Sequence, residues 1–297
     1  MRIFDCHSHW ATETGQSLRT AAERAQQERI WGTPFRFYTE AEQCEYFRAH
    51  RARVIGDLSW VRDLPLESMR EFHDYALRVQ RQNRDVMYGQ WLQFNPQTHG
   101  NGAIAEFQRC VDQRAGFVGV LVNGQATHTP ASDPLWDPFY KASIDAGLPV
   151  MIVCGLTGMG QGLPGGKGIV LEDGHPRHID RVAARFPELR ILAGRPAWPW
   201  QDEMLAVLRH KANVSYELHG WGPRQFTPAL KAEISRKLQD RVMIGCDFPM
   251  LTYEKVIGDW KAEGYPEAVL EKVFFRNAES YFPGAGDRSP ATTPEPS

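Results

Sequence analysis

No Cys-x-x-Cys pair occurs in this 297-residue chain, and its five cysteines (Cys6, Cys44, Cys110, Cys154 and Cys246) are scattered and odd in number. That pattern excludes a disulfide framework and points to a reducing compartment, so a cytoplasmic protein is the expectation. Basic residues are not in excess: 34 Lys and Arg stand against 36 Asp and Glu, a formal charge of -2. The attraction that nucleic acid or an anionic membrane surface requires is therefore missing. There is no run of about 18 apolar residues, and no cationic segment with an apolar stretch precedes Asp5, so no membrane span or export leader is expected. A phosphate-cradling loop is excluded as well, because Gly166-Lys167 runs into Gly168 where the motif demands Ser or Thr. No internal repeat is found.

What is present is enough apolar material, 42% of residues, to bury one large core. Short runs rich in β-branched residues recur, each followed by a longer stretch with helical spacing, the pattern of parallel strands joined by helices. Eight such runs are legible: Arg2 to Cys6, Arg53 to Leu58, Val86 to Trp91, Phe117 to Leu121, Val150 to Val153, Arg190 to Ala193, Val214 to Leu218 and Val242 to Gly245. Their near-continuous apolar character is that of strands covered on both faces. Eight units predict an α/β fold, a single (β/α)8 TIM barrel over residues 1–283, with the active site at the C-terminal ends of the strands.

The spacing predicts helices over Leu66 to Gln82, Ala103 to Arg114, Leu135 to Ala146, His178 to Ala184, Asp202 to His210, Pro228 to Gln239 and Pro266 to Phe274. Asp133-Pro134 reads as an N-cap with proline at the first helical position, and Gly147 as the C-terminal glycine of the same helix. Two stretches read as irregular and substrate-facing because both follow strand ends: the aromatic insertion Gln27 to Thr39, and the glycine-rich Gly155 to Gly168. The Ser-, Thr- and Pro-containing tail 284–297 reads as disordered.

The organising stretch is Phe4-Asp5-Cys6-His7-Ser8-His9-Trp10. Two histidines one residue apart at the end of a strand point to the same side, which lets one strand offer two nitrogens to one metal ion. A catalytic site needs a further ligand from elsewhere and an open position. Strand ends supply candidates: Gly245-Cys246-Asp247-Phe248-Pro249 after the eighth strand brings a carboxylate, and Gly194-Arg195-Pro196 and Val153-Cys154-Gly155 follow the sixth and fifth.

Taken together with Trp198-Pro199-Trp200-Gln201-Asp202-Glu203, these stretches resemble the amidohydrolase superfamily, in particular the branch of aminocarboxymuconate semialdehyde decarboxylase and the aromatic-acid decarboxylases. The resemblance runs over nearly the whole chain. It implies a (β/α)8 barrel with a divalent metal, often zinc, held by the His-x-His pair, by a histidine after strand five and by an aspartate after strand eight. A histidine after strand six commonly assists as acid or base. His7, His9 and Asp247 match. The strand-five position reads Val153 and the strand-six position Arg195, a side chain with no lone pair and a permanent cation. Cys154, one residue on, faces the other way on a strand and reads as a buried thiol. His219, at the end of strand seven, has two readings: a ligand or proton donor, or a histidine bonded to a neighbouring carboxylate. His99, His128, His175 and His178 read as solvated surface histidines.

The function expected is a lyase-type reaction (decarboxylase, hydratase or cyclase) or a hydrolysis on a small aromatic or unsaturated carboxylic acid, with His7, His9, Arg195, His219 and Asp247 as the catalytic set. Arg195 binds the planar carboxylate through parallel hydrogen bonds. Trp10, Trp31, Trp91, Trp198 and Trp221 are the aromatic surfaces for a flat ring. The cofactor is either none or one divalent metal, zinc first, on His7, His9 and Asp247. The metal-free reading is preferred because Arg195 repels a cation. A pseudoenzyme that binds a small acid without turnover stands as a third reading. No nucleic-acid or membrane partner is expected, and a homodimer is the default assembly.

Overall fold

The computed structural model describes residues 1–17, 20–32, 34–57, 64–113 and 116–282. Eight strands pair in parallel in sequence order: β1 (Ile3–His9), β2 (Ala52–Asp57), β3 (Met87–Gln93), β4 (Phe117–Val122), β5 (Val150–Val153), β6 (Ile191–Gly194), β7 (Val214–Glu217) and β8 (Val242–Met243). Beyond β8 the backbone closes on β1. The Cys6 N–H donates to the Ile244 carbonyl at 3.0 Å, the Asp247 N–H to His7 at 2.9 Å and the His9 N–H to Phe248 at 2.7 Å. The result is the (β/α)8 barrel that the eight apolar runs imply.

Helices α1 (Ala21–Trp31) and α2 (Glu40–Ala49) follow β1, and α3 (Leu66–Gln82) and α4 (Gly102–Asp112) follow β2 and β3. The short α5 (Gly124–Thr127) and α6 (Asp137–Asp145) follow β4; α7 (Pro176–Arg185), α8 (Gln201–His210) and α9 (Pro228–Ile234) follow β5, β6 and β7. After β8 come α10 (Tyr253–Ala262), α11 (Glu267–Glu271) and α12 (Asn277–Tyr281). Helix α3 has the bounds that its spacing predicts. The start of the stretch expected to be irregular, Gln27 onward, is instead the end of α1. The Thr20 side chain accepts from the Glu23 N–H while Glu23 accepts from Thr20, and Thr39 with Glu42 repeats the device at α2. These reciprocal caps start helices whose apolar periodicity is weak. Helix α10 was not expected either. The end of the second predicted strand at Leu58, the residue Arg114 and the tail 284–297 lie outside the described residues.

Side chains alternate between two cores. Phe4, Cys6, Ile55, Trp91, Leu121, Met151, Val153, Leu192 and Met243 fill the barrel, with Phe275, Ala278 and Phe282 packed against them. Ile3, Val54, Val120, Ile152, Ala193, Tyr216 and Ile244 face the helices. One irregularity positions the site. In β1, Asp5 lies opposite Val54 but Ser8 lies opposite Gly56, a bulge that sets two residues against one. It shifts the inward phase from the even-numbered Phe4 and Cys6 to the odd-numbered His7 and His9. Asp5 is left facing outward, where its carboxylate accepts from the backbone N–H of His7 and Cys246, from Ser8 Oγ at 2.6 Å and from Tyr253 Oη at 2.8 Å.

A second buried polar cluster pins α3 to α4. Glu106 Oε1 lies 2.8 Å from His73 Nδ1 and accepts the Cys110 thiol, and Arg109 donates to both carboxylate oxygens at 2.7 and 2.9 Å. Burial pushes Glu106 up, but the bonds from His73, Arg109 and Cys110 outweigh it and hold the carboxyl well below its ordinary 4.5. A depressed folded pKa gives stability that is present in full above the unfolded value and is lost as pH falls. Glu106→Gln is therefore expected to lower the unfolding free energy by roughly 3–5 kcal/mol at pH 7. The deficit should shrink below about pH 4.5, as urea titrations at pH 7 and pH 3 would show.

Candidate active site at the C-terminal mouth of the barrel

Three ligand-type atoms converge where β1 meets the segment after β8. His7 Nε2 is 3.4 Å from His9 Nε2, His9 Nε2 is 3.0 Å from Asp247 Oδ1, and His7 Nε2 is 3.7 Å from Asp247 Oδ1. All three residues are buried, and His7 Nδ1 lacks a hydrogen-bond partner among the described residues. Donors bound at about 2.1 Å around one tetrahedral ion lie about 3.4 Å from each other. The three separations match that edge, so the residues fit a divalent metal, with His7, His9 and Asp247 as the holding set. The fold brings the three together by strain as well as register: Asp247 sits at φ +61°, a left-handed conformation that costs on the order of 1 kcal/mol and aims the carboxylate inward.

Asp57, at the end of β2, is a further member of the site that belongs to none of the sequence motifs. Its Oδ2 is 3.2 Å from His9 Nδ1 and 3.6 Å from His7 Nε2, and its Oδ1 accepts from Gln93 Nε2. In the metal-free protein these charges divide the two imidazoles. Burial lowers His7 to about 4 against the pull of Asp57 and Asp247. Burial also opposes charge on His9, but hydrogen bonds to Asp247 and Asp57 override it and raise the ring to about 9.

His219 does not join the ligand set. Its ring stacks on His7, with centroids 3.8 Å apart and planes 4° from parallel. Nδ1 is bonded to Glu217 Oε2, and Nε2 accepts from Arg195 Nε at 3.1 Å. A guanidinium only donates, so Nε2 must carry the lone pair and Nδ1 the proton. Of the two readings of His219, the carboxylate-bonded one describes its contacts. Burial and the nearby His7 hold the ring neutral, well below the ordinary imidazole value. Burial, with Asp5 and Asp247 adding to it, pushes Glu217 well up. Gly245 leaves room for this carboxylate: a Cβ there would fall 2.0 Å from Glu217 Oε1.

Arg195, at φ +71°, is anchored by His219 and by a second bond from Nη1 to the Leu156 carbonyl at 3.3 Å. It reaches one wall of an open cleft. His7, His9, Asp57, Gln93, Asn123 and Thr127 supply its polar lining, and Phe94, Leu121, Ala126 and Val153 the apolar part. Val153 thus forms wall, and Cys154 turns away to donate its thiol to the Gly194 carbonyl at 3.2 Å, with burial raising it to about 12.

The tryptophans divide. Trp10 and Trp91 are at most 1% exposed and spend their indole N–H groups on Gln90 Oε1 and the Cys6 carbonyl. That contradicts their expected role as substrate surfaces: both pack the core. Trp198 and Trp221 stack on each other at 5.7 Å outside the cleft lining, and the Trp31 side chain lies outside the described residues. His128 is exposed as expected, but His99, His175 and His178 are buried. His175 caps α7 by accepting from the Arg177 N–H, His99 bonds the Leu64 carbonyl at 2.7 Å and His178 bonds Ser132 Oγ at 2.8 Å. Asp57 and Glu217 were readable in principle, one as the last residue of its strand and the other as the partner of His219 in a Glu-x-His step of period two.

The family model described as amidohydrolase matches residues 4–284. The chain is 26% identical over 183 residues to the 2-keto-4-carboxy-3-hexenedioate hydratase of Sphingobium sp. (strain NBRC 103272 / SYK-6), covering 51% of this chain and 52% of that protein. It thus spans about half the length of that curated relative. Among solved structures, 5-carboxyvanillate decarboxylase of Novosphingobium aromaticivorans, complexed with manganese and 4-hydroxy-3-methoxy-5-nitrobenzoic acid, superposes with a TM-score of 0.69 at 17% identity, over 95% of this chain and 96% of that one. The 2,6-dihydroxybenzoate decarboxylase of Rhizobium gives 0.67 at 17% identity, over 94% and 98%. At such identities the likeness establishes the fold. No helix among the described residues is long and apolar enough to cross a membrane.

Proposed function

The chain belongs to the amidohydrolase family, and on that premise we propose that it is a lyase acting on a small aromatic or unsaturated carboxylic acid. It uses a divalent metal held by His7, His9 and Asp247 and an anion anchor at Arg195. The observation that carries this reading is the sharing of one cleft by a three-atom ligand triangle and a guanidinium that the protein itself has oriented. The names of the hydratase and the decarboxylases supply the reaction class. The expectation that Arg195 repels metal is met by Asp57, a second buried carboxylate beside the triangle.

Held by His7, His9 and Asp247, a divalent metal would supply Lewis-acid chemistry, polarising a substrate oxygen or lowering the pKa of a water toward about 7. The rest is done by the chain. Arg195 keeps Nε on His219 and Nη1 on Leu156, and Nη2, with no hydrogen-bond partner among the described residues, is left for the carboxylate. Phe94, Leu121 and Val153 meet the flat apolar part of the substrate, and the amides of Gln93 and Asn123 meet its remaining oxygens. Asp57 holds the Nδ1 proton of His9. A metal-free variant of the same reading has one observation in its favour: His9 lies between two buried carboxylates, Asp57 at Nδ1 and Asp247 at Nε2, which favour its protonated form.

The test is a panel of aromatic and unsaturated mono- and dicarboxylic acids incubated with the manganese- or zinc-loaded protein, with release of carbon dioxide and loss of the ultraviolet chromophore recorded. Turnover that a chelator abolishes and added metal restores is expected. Chelator-resistant turnover would move the assignment to the metal-free variant, and binding without turnover would make the protein a pseudoenzyme.

A further inference from the structure

We infer that Asp57 is the positioning residue of the metal centre: it fixes His9 as an Nε2 ligand and supplies the negative charge that lets a dication and Arg195 occupy the same cleft. The inference rests on the metal reading proposed above. Its own basis is geometric. Asp57 is 3% exposed at the end of β2, and its Oδ2 lies 3.2 Å from His9 Nδ1, on the side of the ring away from Asp247. A carboxylate can only accept there, so the His9 proton is fixed on Nδ1 and the lone pair is delivered at Nε2, toward His7 Nε2 and Asp247 Oδ1. Carboxylate–histidine–metal chains of this kind fix the ring and raise its basicity as a ligand. The other oxygen, Oδ1, is held by Gln93 Nε2, so β3 keeps the carboxylate in place.

His7 has no such support. Its Nδ1 is buried without a hydrogen-bond partner among the described residues, and the parallel His219 ring holds it by stacking. Orientation of the ligand pair by hydrogen bonding therefore falls on His9 and Asp57. The charge argument runs the same way. A dication beside the Arg195 guanidinium faces one carboxylate in the ligand triangle, Asp247, and Asp57 is the second, 3.6 Å from His7 Nε2. In a buried site that second charge decides whether the cation stays.

Binding of zinc and of cobalt is measured by competition with a chromophoric chelator on the parent, Asp57→Asn and Asp57→Glu proteins, together with the visible absorption of the cobalt forms. Asp57→Asn is expected to bind both metals roughly 10- to 100-fold more weakly with an altered cobalt spectrum, and Asp57→Glu to recover part of the loss. Parent-like affinity and spectrum in Asp57→Asn would overturn the inference and leave the metal reading standing. A parent that binds neither metal would overturn both. Should Asp57→Asn fail to fold, as judged by near-ultraviolet circular dichroism, Gln93→Met gives the same readout with the carboxylate intact. A several-fold loss of affinity there supports the inference, and parent-like affinity overturns it.

Discussion

Replacing Arg195 by methionine is expected to lower kcat/KM for the carboxylic acid substrate by roughly 10²- to 10³-fold. Truncating one partner of a hydrogen-bonded charge pair in a desolvated site costs about 2–5 kcal/mol, and each 1.4 kcal/mol is a factor of ten. The middle of that range applies because the guanidinium is half-buried and already oriented by His219 and Leu156. Little of the pairing energy is then spent on ordering the side chain. The measurement that isolates the role is the same ratio for a neutral amide or ester of the substrate, where parent and variant should differ by less than about threefold. Arg195→Lys should recover little, since a single ammonium cannot hold His219, the Leu156 carbonyl and the substrate carboxylate at once as the planar guanidinium does. Metal content should stay at the parent level or rise, because the substitution removes a neighbouring cation. An equal loss on charged and neutral substrates would show Arg195 to be structural and remove the anion anchor from the mechanism.

Residues that alternate cleanly were legible from sequence, and residues whose placement depends on a break in alternation were not. The eight strands fall where their apolar runs place them because a strand covered on both faces leaves little else for such a run to do. His7 and His9 share a side as the period of two requires, but the bulge after Asp5 cannot be seen in the residues. Without it, the inward phase would run on from Phe4 and Cys6 to Ser8, and the histidines would face the helices. The first two helices were missed for the opposite reason. Thr20 with Glu23 and Thr39 with Glu42 are capping signals visible in the sequence, but the stretch from Gln27 to Thr39 is rich in aromatics and by composition reads as an irregular insertion. Trp10 and Trp91 show a related limit. Position beside a strand end does not say which face an indole takes, and here Trp10 packs in the helix-facing core on Gln90 while Trp91 packs inside the barrel on the Cys6 carbonyl. Asp57 and Glu217 do not stand out in the sequence because neither belongs to the His-x-His and strand-end ligand pattern. Each works through a histidine, and such a partner is recognised only when the fold sets it beside the ring.

Elemental mass spectrometry of the protein purified without chelators is expected to find close to one equivalent of divalent metal. His7→Ala/His9→Ala and Asp247→Asn should each reduce it below about a tenth and lower kcat by about 10³-fold or more. The one ligand left by the double variant, or the two left by Asp247→Asn, cannot hold an ion that three hold at edge distances of 3.0 to 3.7 Å. Asp247→Asn is the sharper of the two variants, because it keeps the shape of the side chain and removes only charge and ligand strength. Metal also stabilises the folded state by mass action, about 4 kcal/mol at a thousandfold excess over Kd. Chelation should therefore lower the parent's melting temperature by several degrees and leave the His7→Ala/His9→Ala protein unmoved. The stability readout matters because it does not depend on knowing the substrate. A parent that stays metal-free after reconstitution, with a melting temperature indifferent to chelators, would shift the chemistry onto His9, Asp57, Asp247 and Arg195. In that case Asp247→Asn should act through the His9 imidazolium: the ring would lose one of its two carboxylate partners and be protonated over a narrower range of pH.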